Sequence, residues 1–193
     1  MDTTRPSLLM RLKDPRDAAA WEVFDHIYRP MLLRYARACG VTPTDAEDIV
    51  QQCMSAISAH IGGFEYDPGR GRFKGWLRTM VNNKVRNLYR DRRDRGVESA
   101  DLEGLASREH APDEEFDRLW KQEHLWHCLR QLRGEVEETT YRAFEAYVIE
   151  QRSVDEICTE LGIKPNLLYT IKWRMTERVA DKMRELLGDD AID

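Results

Sequence analysis

The chain has 193 residues, 41 % of them apolar and 34 % charged, which suits one medium or two small packed domains and excludes collagen-like and disulfide-scaffold proteins. The formal charge is −5, and Cys39, Cys53, Cys128 and Cys158 lie far apart without a C-x-x-C pair, so neither a disulfide framework nor a metal centre is expected. No stretch approaches the roughly 18 apolar residues of a membrane span, and residues 1–12 lack the apolar core of a signal peptide, so the expected setting is reduced and cytoplasmic.

Helical periodicity recurs along the chain and strand alternation is nearly absent. Asp17 opens a run in which Trp21, Phe24, Ile27, Tyr28, Met31, Leu32 and Tyr35 recur at spacings of three and four. Pro30 predicts a break or kink in that helix, and Gly40 its end. Thr44 or Asp45 is expected to cap a second helix with Ala46, Ile49, Val50, Cys53, Met54, Ile57 and Ile61 inward. Gly62-Gly63 then leads into a turn-rich loop, 64–71.

A third helix is predicted over about 72–93. Its apolar stripe is Phe73, Trp76, Leu77, Met80, Val81, Val85 and Leu88, and its opposite stripe is Lys74, Arg78, Asn82, Arg86, Tyr89 and Arg93. From Arg70 to Arg95 there are ten basic residues against two acidic ones, a local charge of +8. From Val97 to His124 there are three basic against nine acidic, a local −6. Such segregation points to a phosphate-facing surface on a chain that is acidic elsewhere. Residues 97–112 lose periodicity and read as an acidic flexible linker. Periodicity resumes with Phe116, Leu119, Trp120, Trp126, Leu129 and Leu132, and continues through Tyr141, Phe144, Tyr147 and Val148. His124, His127 and Cys128 share one amphipathic stretch but lack a fourth ligand, so a structural role is expected for them.

Ser153 and Glu156 form a capping box that opens a short helix with Val154, Ile157 and Leu161 inward. Gly162 stops it, and Pro165 begins a last helix burying Leu168, Ile171, Met175, Val179, Met183 and Leu186. Short helix, glycine turn and longer helix predict a helix-turn-helix, whose second helix would enter the major groove. Its outward residues Asn166, Tyr169, Thr170, Lys172, Trp173 and Arg174 can meet base edges, phosphates and thymine methyls. The fold class expected is all-α: two small helical domains joined by the acidic linker, the second a helix-turn-helix.

Two blocks carry a family resemblance. Asp45-Ala46-Glu47-Asp48-Ile49-Val50-Gln51-Gln52, followed by Phe73-Lys74-Gly75-Trp76-Leu77-Arg78-Thr79-Met80-Val81-Asn82-Asn83 and Arg90-Asp91-Arg92-Arg93, closely resembles the second conserved region of extracytoplasmic-function sigma factors of bacterial RNA polymerase. The half from about Leu132 through Ser153-Val154-Asp155-Glu156-Ile157 and Leu161-Gly162-Ile163 to Leu187 resembles their fourth region. The resemblance implies a region-two-like domain over 7–96, the linker over 97–112 and a region-four-like domain over 113–187. It implies partners as well: the clamp helices of the largest subunit of core RNA polymerase, the flap of the second largest, and promoter DNA. An anti-sigma factor is a further partner the resemblance admits; no cofactor is implied.

Carried over by position, Asp45, Asp48, Gln51 and Gln52 would face the polymerase, although a solvated polar face is the plain alternative for all four. Recognition and melting of the promoter -10 element would fall to Tyr66, Arg72, Lys74, Trp76, Arg78, Asn82, Asn83, Arg86, Tyr89, Arg90 and Arg93, with the loop before the third helix capturing a flipped base. Trp76 suits the core as well as a wedge. In the recognition helix the family commonly places cations directly after the first turn. Here Tyr169 and Ile171 stand there and Lys172 and Arg174 follow later, as in a divergent subgroup. No nucleophile–base pair or phosphate loop stands out, so the expected role is a non-catalytic specificity subunit. The alternatives are a helix-turn-helix regulator with an N-terminal interaction domain, and a helical adaptor whose basic face binds RNA or an acidic protein.

Overall fold

The computed structural model describes residues 5–64, 72–94 and 113–187. Every regular element among them is helical: α1 (Arg5–Arg11), α2 (Ala18–Ala38), α3 (Pro43–His60), α4 (Arg72–Asp94), α5 (Asp113–Glu135), α6 (Glu138–Phe144), α7 (Val154–Leu161) and α8 (Pro165–Leu187). A 3₁₀ turn at Ile61–Gly63 follows α3, and a π-helical segment at Glu145–Ile149 follows α6. No described helix is long and apolar enough to cross a membrane. The chain divides into two compact units between Glu123 and His124, inside α5.

In the first unit, Asp17 caps α2 by accepting from the Ala20 amide at 3.0 Å, and Arg11 grips its carboxylate at 2.8 Å. These two contacts hold the Asp17 carboxyl below its ordinary range, the Arg11 hydrogen bond contributing most. The expected break at Pro30 does not occur, and α2 runs unbroken through it. Ile27, Tyr28, Met31 and Leu32 are all buried around the proline, so packing on both sides retains helical backbone despite the missing donor.

The cap of α3 also differs from expectation. Thr42, not Thr44 or Asp45, is the cap residue, and Pro43 takes the first helical position, where no amide donor is needed. The Thr42 hydroxyl accepts from the Asp45 amide at 3.2 Å and donates to the Asp45 carboxylate. The inward face of α3 is as the periodicity predicts, from Ala46 through Ile57 and on to Ile61.

The core of this unit is aromatic. Phe24, Tyr28 and Phe73 meet with ring centroids 4.4–6.0 Å apart. Phe116, Leu119 and Trp120, from the first half of α5, complete it: Phe116 packs edge-on against Tyr35 at 4.8 Å, and Trp120 lies 5.4 Å from Tyr28. Each fully buried side chain of that size contributes roughly 1.5–3 kcal/mol, so the stretch 113–123 is an integral part of the unit. Glu123, buried, pairs with Arg34 of α2.

The second unit packs α6, α7 and α8 around Leu129, Leu132, Tyr141, Phe144, Ile157, Leu168, Ile171 and Met175. The capping box at Ser153 and Glu156 is present in both directions, and Gly162 ends α7 with φ 63°. A left-handed residue there is what lets the chain reverse into α8, and glycine adopts it without a Cβ clash. Trp126, expected inward, is 36 % exposed, because His124, His127 and Cys128 occupy the buried positions of that turn. The π-helical segment at Glu145–Ile149 adds a residue to the turn and so shifts the register of the side chains that follow.

Candidate nucleic-acid interface

Helix α4 sorts its side chains into three rows. Phe73, Leu77, Val81, Val85 and Tyr89, each four residues from the next, are all buried. This corrects the expectation for Tyr89. It is 2 % exposed and donates its hydroxyl to the Cys39 carbonyl at 3.2 Å, so it anchors α4 to the end of α2 and offers no ring for stacking. The signal was available in the sequence, as Tyr89 continues an unbroken i, i+4 apolar row.

The second row, Lys74, Arg78 and Asn82, flanks the buried one and is half-buried. Lys74 pairs with Asp117 at 2.9 Å and Arg78 with Asp113 at 3.2 Å. Asn82 accepts a hydrogen bond from the Tyr35 hydroxyl at 3.0 Å. Desolvation by burial, with the nearby Cys39 and Asp113 adding to it, pushes the Tyr35 phenol up to about 12 against the opposing effect of Asn82 and Arg78. The third row, Asn83, Arg86, Arg90 and Arg93, is exposed. Trp76 is intermediate and lies 5.3 Å from the Phe64 ring, at the end of the segment that precedes the loop. Tyr66 lies outside the described residues, and of Arg72 only the backbone is described.

On α3, Asp48, Gln51 and Gln52 are exposed on the side opposite the core. Asp45 differs from them. Its carboxylate is turned toward α4, where Arg92 binds it at 2.7 Å, and its side chain is 17 % exposed. The position at the third residue of α3 aims it back at the helix start and the adjacent end of α4, so it is a structural tie before it is a docking surface.

In the second unit, α8 presents Asn166, Tyr169, Thr170, Lys172, Trp173 and Arg174 outward. Trp173 is 60 % exposed and Tyr169 48 %, and Leu167 joins them at 49 %, a residue the sequence reading left out. The Lys172 ammonium lies 5.7 Å over the Tyr147 ring, and Tyr147 meets Tyr169 edge-on. The Thr170 hydroxyl donates to the Asn166 carbonyl at 2.8 Å, which turns it along the helix. Arg174 borders a cleft with Val136, Thr140, Leu167 and Arg178. Upstream, Arg152 pins the loop before α7 to Glu160 at 2.5 Å, holding the Glu160 carboxyl below its ordinary range. Among the described residues no cluster of histidine, cysteine and carboxylate side chains could hold a metal ion.

Residues 26–95 match the Sigma-70 region 2 family. This stretch is similar to a sigma-70 region 2. The matched span begins inside α2, contains α3 and ends at the basic end of α4, so it encloses both the exposed face of α3 and the cation rows of α4. The chain is also similar to RNA polymerase sigma factor CnrH of Cupriavidus metallidurans, 37 % identical over 92 residues. That match covers 44 % of this chain and 47 % of that protein, so the chain aligns with about half the length of the curated relative. Both likenesses fall on sigma factors of RNA polymerase, and the first lies within the first unit of the chain.

Proposed function

We propose that the chain is a sigma factor that binds core RNA polymerase and directs promoter recognition at the start of transcription, without chemistry of its own. The observation that carries this reading is the coincidence of the region 2 match, 26–95, with an exposed polar face on α3 and an exposed cation row on α4. Asp48, Gln51 and Gln52 meet the clamp helices of the largest polymerase subunit. Asn83, Arg86, Arg90 and Arg93 track the -10 DNA, with Trp76 at the edge where the strands part. Lys74, Arg78 and Asn82 border the same surface.

Upstream recognition of the -35 element falls to the helix-turn-helix formed by α7, the Gly162 turn and α8. The exposed Tyr169 and Trp173 beside Lys172 and Arg174 support it, since a solvated face rarely carries two large aromatics. The flap of the second largest polymerase subunit is the partner for this half, and an anti-sigma factor is the natural regulator of a chain that carries this surface. The test is transcription by purified core polymerase plus this chain on a promoter library. Selective start sites are the expected result, and their absence would remove the reading.

A further inference from the structure

The charge segregation along the chain has an intramolecular counterpart. Lys74 and Arg78 are four residues apart on α4, and Asp113 and Asp117 are four apart on α5. The pairs meet in antiparallel order, Arg78 with Asp113 at 3.2 Å and Lys74 with Asp117 at 2.9 Å. Between and beside these rungs, Phe116, Leu119 and Trp120 are sunk in the aromatic core of the same unit, which fixes the register of the acidic row over the basic one.

We propose that the first half of α5 is a built-in competitor for nucleic-acid phosphate, holding Lys74 and Arg78 in ion pairs so that the free chain binds DNA weakly. This rests on the reading of α4 as the DNA-facing helix. Each carboxylate neutralises the charge of the cation beside it and adds repulsion where a phosphate would sit, so a phosphate must displace it to gain the full attraction. The pairs are poised rather than locked. The acidic partners reach solvent, Asp113 at 73 % and Asp117 at 44 % side-chain exposure, against 30 % for Arg78 and 21 % for Lys74, so a dense row of phosphates can displace the carboxylates from the open side without lifting the helix, the Arg78 pair first. The helix backbone stays anchored by its aromatics while the side chains exchange partners. Binding would then depend on a partner that presents the DNA at high local concentration.

The test measures affinity of the full chain for fluorescein-labelled oligothymidylate, a single strand of twelve nucleotides, between 50 and 200 mM salt. Asp113→Asn with Asp117→Asn keeps side-chain shape and the apolar anchors, and thermal melting checks that the fold is retained. The control pair, Glu22→Gln with Glu47→Gln, changes net charge equally on exposed positions of the same unit. The double asparagine variant should bind about five- to tenfold more tightly than the control pair at low salt, with a salt slope steeper by about 1.4, as two released cations demand on a single strand. Adding Lys74→Ala and Arg78→Ala should abolish the gain, while the same alanines in the natural chain should change affinity little. Equal affinity of the asparagine and control variants would overturn the competitor, as would a gain that survives loss of Lys74 and Arg78. Failure of the chain to direct transcription with core polymerase would instead sink the sigma-factor reading, and leaves the oligonucleotide result to stand by itself.

Discussion

Arg92, in the last turn of α4, binds the carboxylate of Asp45, in the first turn of α3, at 2.7 Å. The contact joins the two helices whose outer faces carry the proposed polymerase and DNA surfaces. Its geometry also suits both helix dipoles, an acid near an N-terminus and a cation near a C-terminus. Asp45→Ala removes this pair together with the Thr42 contact at the cap, and should cost about 1–2 kcal/mol. Arg92→Ala should cost less, leaving the cap intact. Gln52→Ala should be neutral for stability yet weaken association with core polymerase. Urea unfolding and co-elution with core enzyme separate these outcomes, and a stability loss for Gln52→Ala would contradict its exposed placement.

The neighbouring asparagines of α4 should behave differently. Asn83 is exposed, so Asn83→Ala should leave stability within about 0.5 kcal/mol and slow promoter opening, read as permanganate reactivity of unpaired thymines. Asn82 accepts from a buried tyrosine, so Asn82→Ala should cost about 1–3 kcal/mol by stranding the Tyr35 hydroxyl. Replacing Tyr35 by Phe in the Asn82→Ala background should recover part of that loss. No recovery would mean that the hydrogen bond does not govern the site.

Trp120→Ala should destabilise the first unit by about 3–5 kcal/mol, as a fully buried aromatic does. A fragment ending at residue 96 should likewise melt well below one ending at residue 123. Equal melting temperatures would show that the stretch 113–123 adds nothing to the fold of the first unit.

Alkali should unfold the chain through groups that lack any role in binding. Burial raises the Cys53 thiol to about 12, the Tyr35 phenol to about 12 and the Cys128 thiol to about 11. Each is an acid whose native pKa exceeds its unfolded value, so the unfolded chain loses protons first. The stabilisation is complete below pH about 9, the ordinary thiol value, and is lost progressively as pH climbs toward 12. The urea midpoint should therefore fall from pH 9 upward, and less steeply in Cys53→Ala. A midpoint constant to pH 11 would contradict the burial of these groups.

In α8, the proposed recognition helix, Arg174 is exposed, and its fork would bind guanine bidentately, a contact worth about 1–3 kcal/mol. Lys172 lies over Tyr147 and would meet phosphate as a point charge. Arg174→Ala should relax preference at one or two upstream positions, whereas Lys172→Ala should lower activity evenly. A promoter-library profile with even loss in both variants would remove the division of roles.

The helices, their inward faces and the capping box were legible in the sequence, because each rests on spacing within one element. Ile49, Val50, Cys53 and Ile57 had to share a face of α3, and Ser153 had to reach the Glu156 amide, whatever surrounded them. The region 2 blocks were legible for the same reason: their residue order is local. What residues 113–123 do was not. The resemblance placed them at the start of the region-four-like domain, and nothing in a linear charge count says that Asp113 and Asp117 are in step with Arg78 and Lys74. Only the tertiary structure decided that, and with it the tie between Asp45 and Arg92 and the survival of α2 through Pro30. In each case the deciding quantity is burial against a distant element, which supplies the free energy to overrule local propensity and cannot be read from one helix alone.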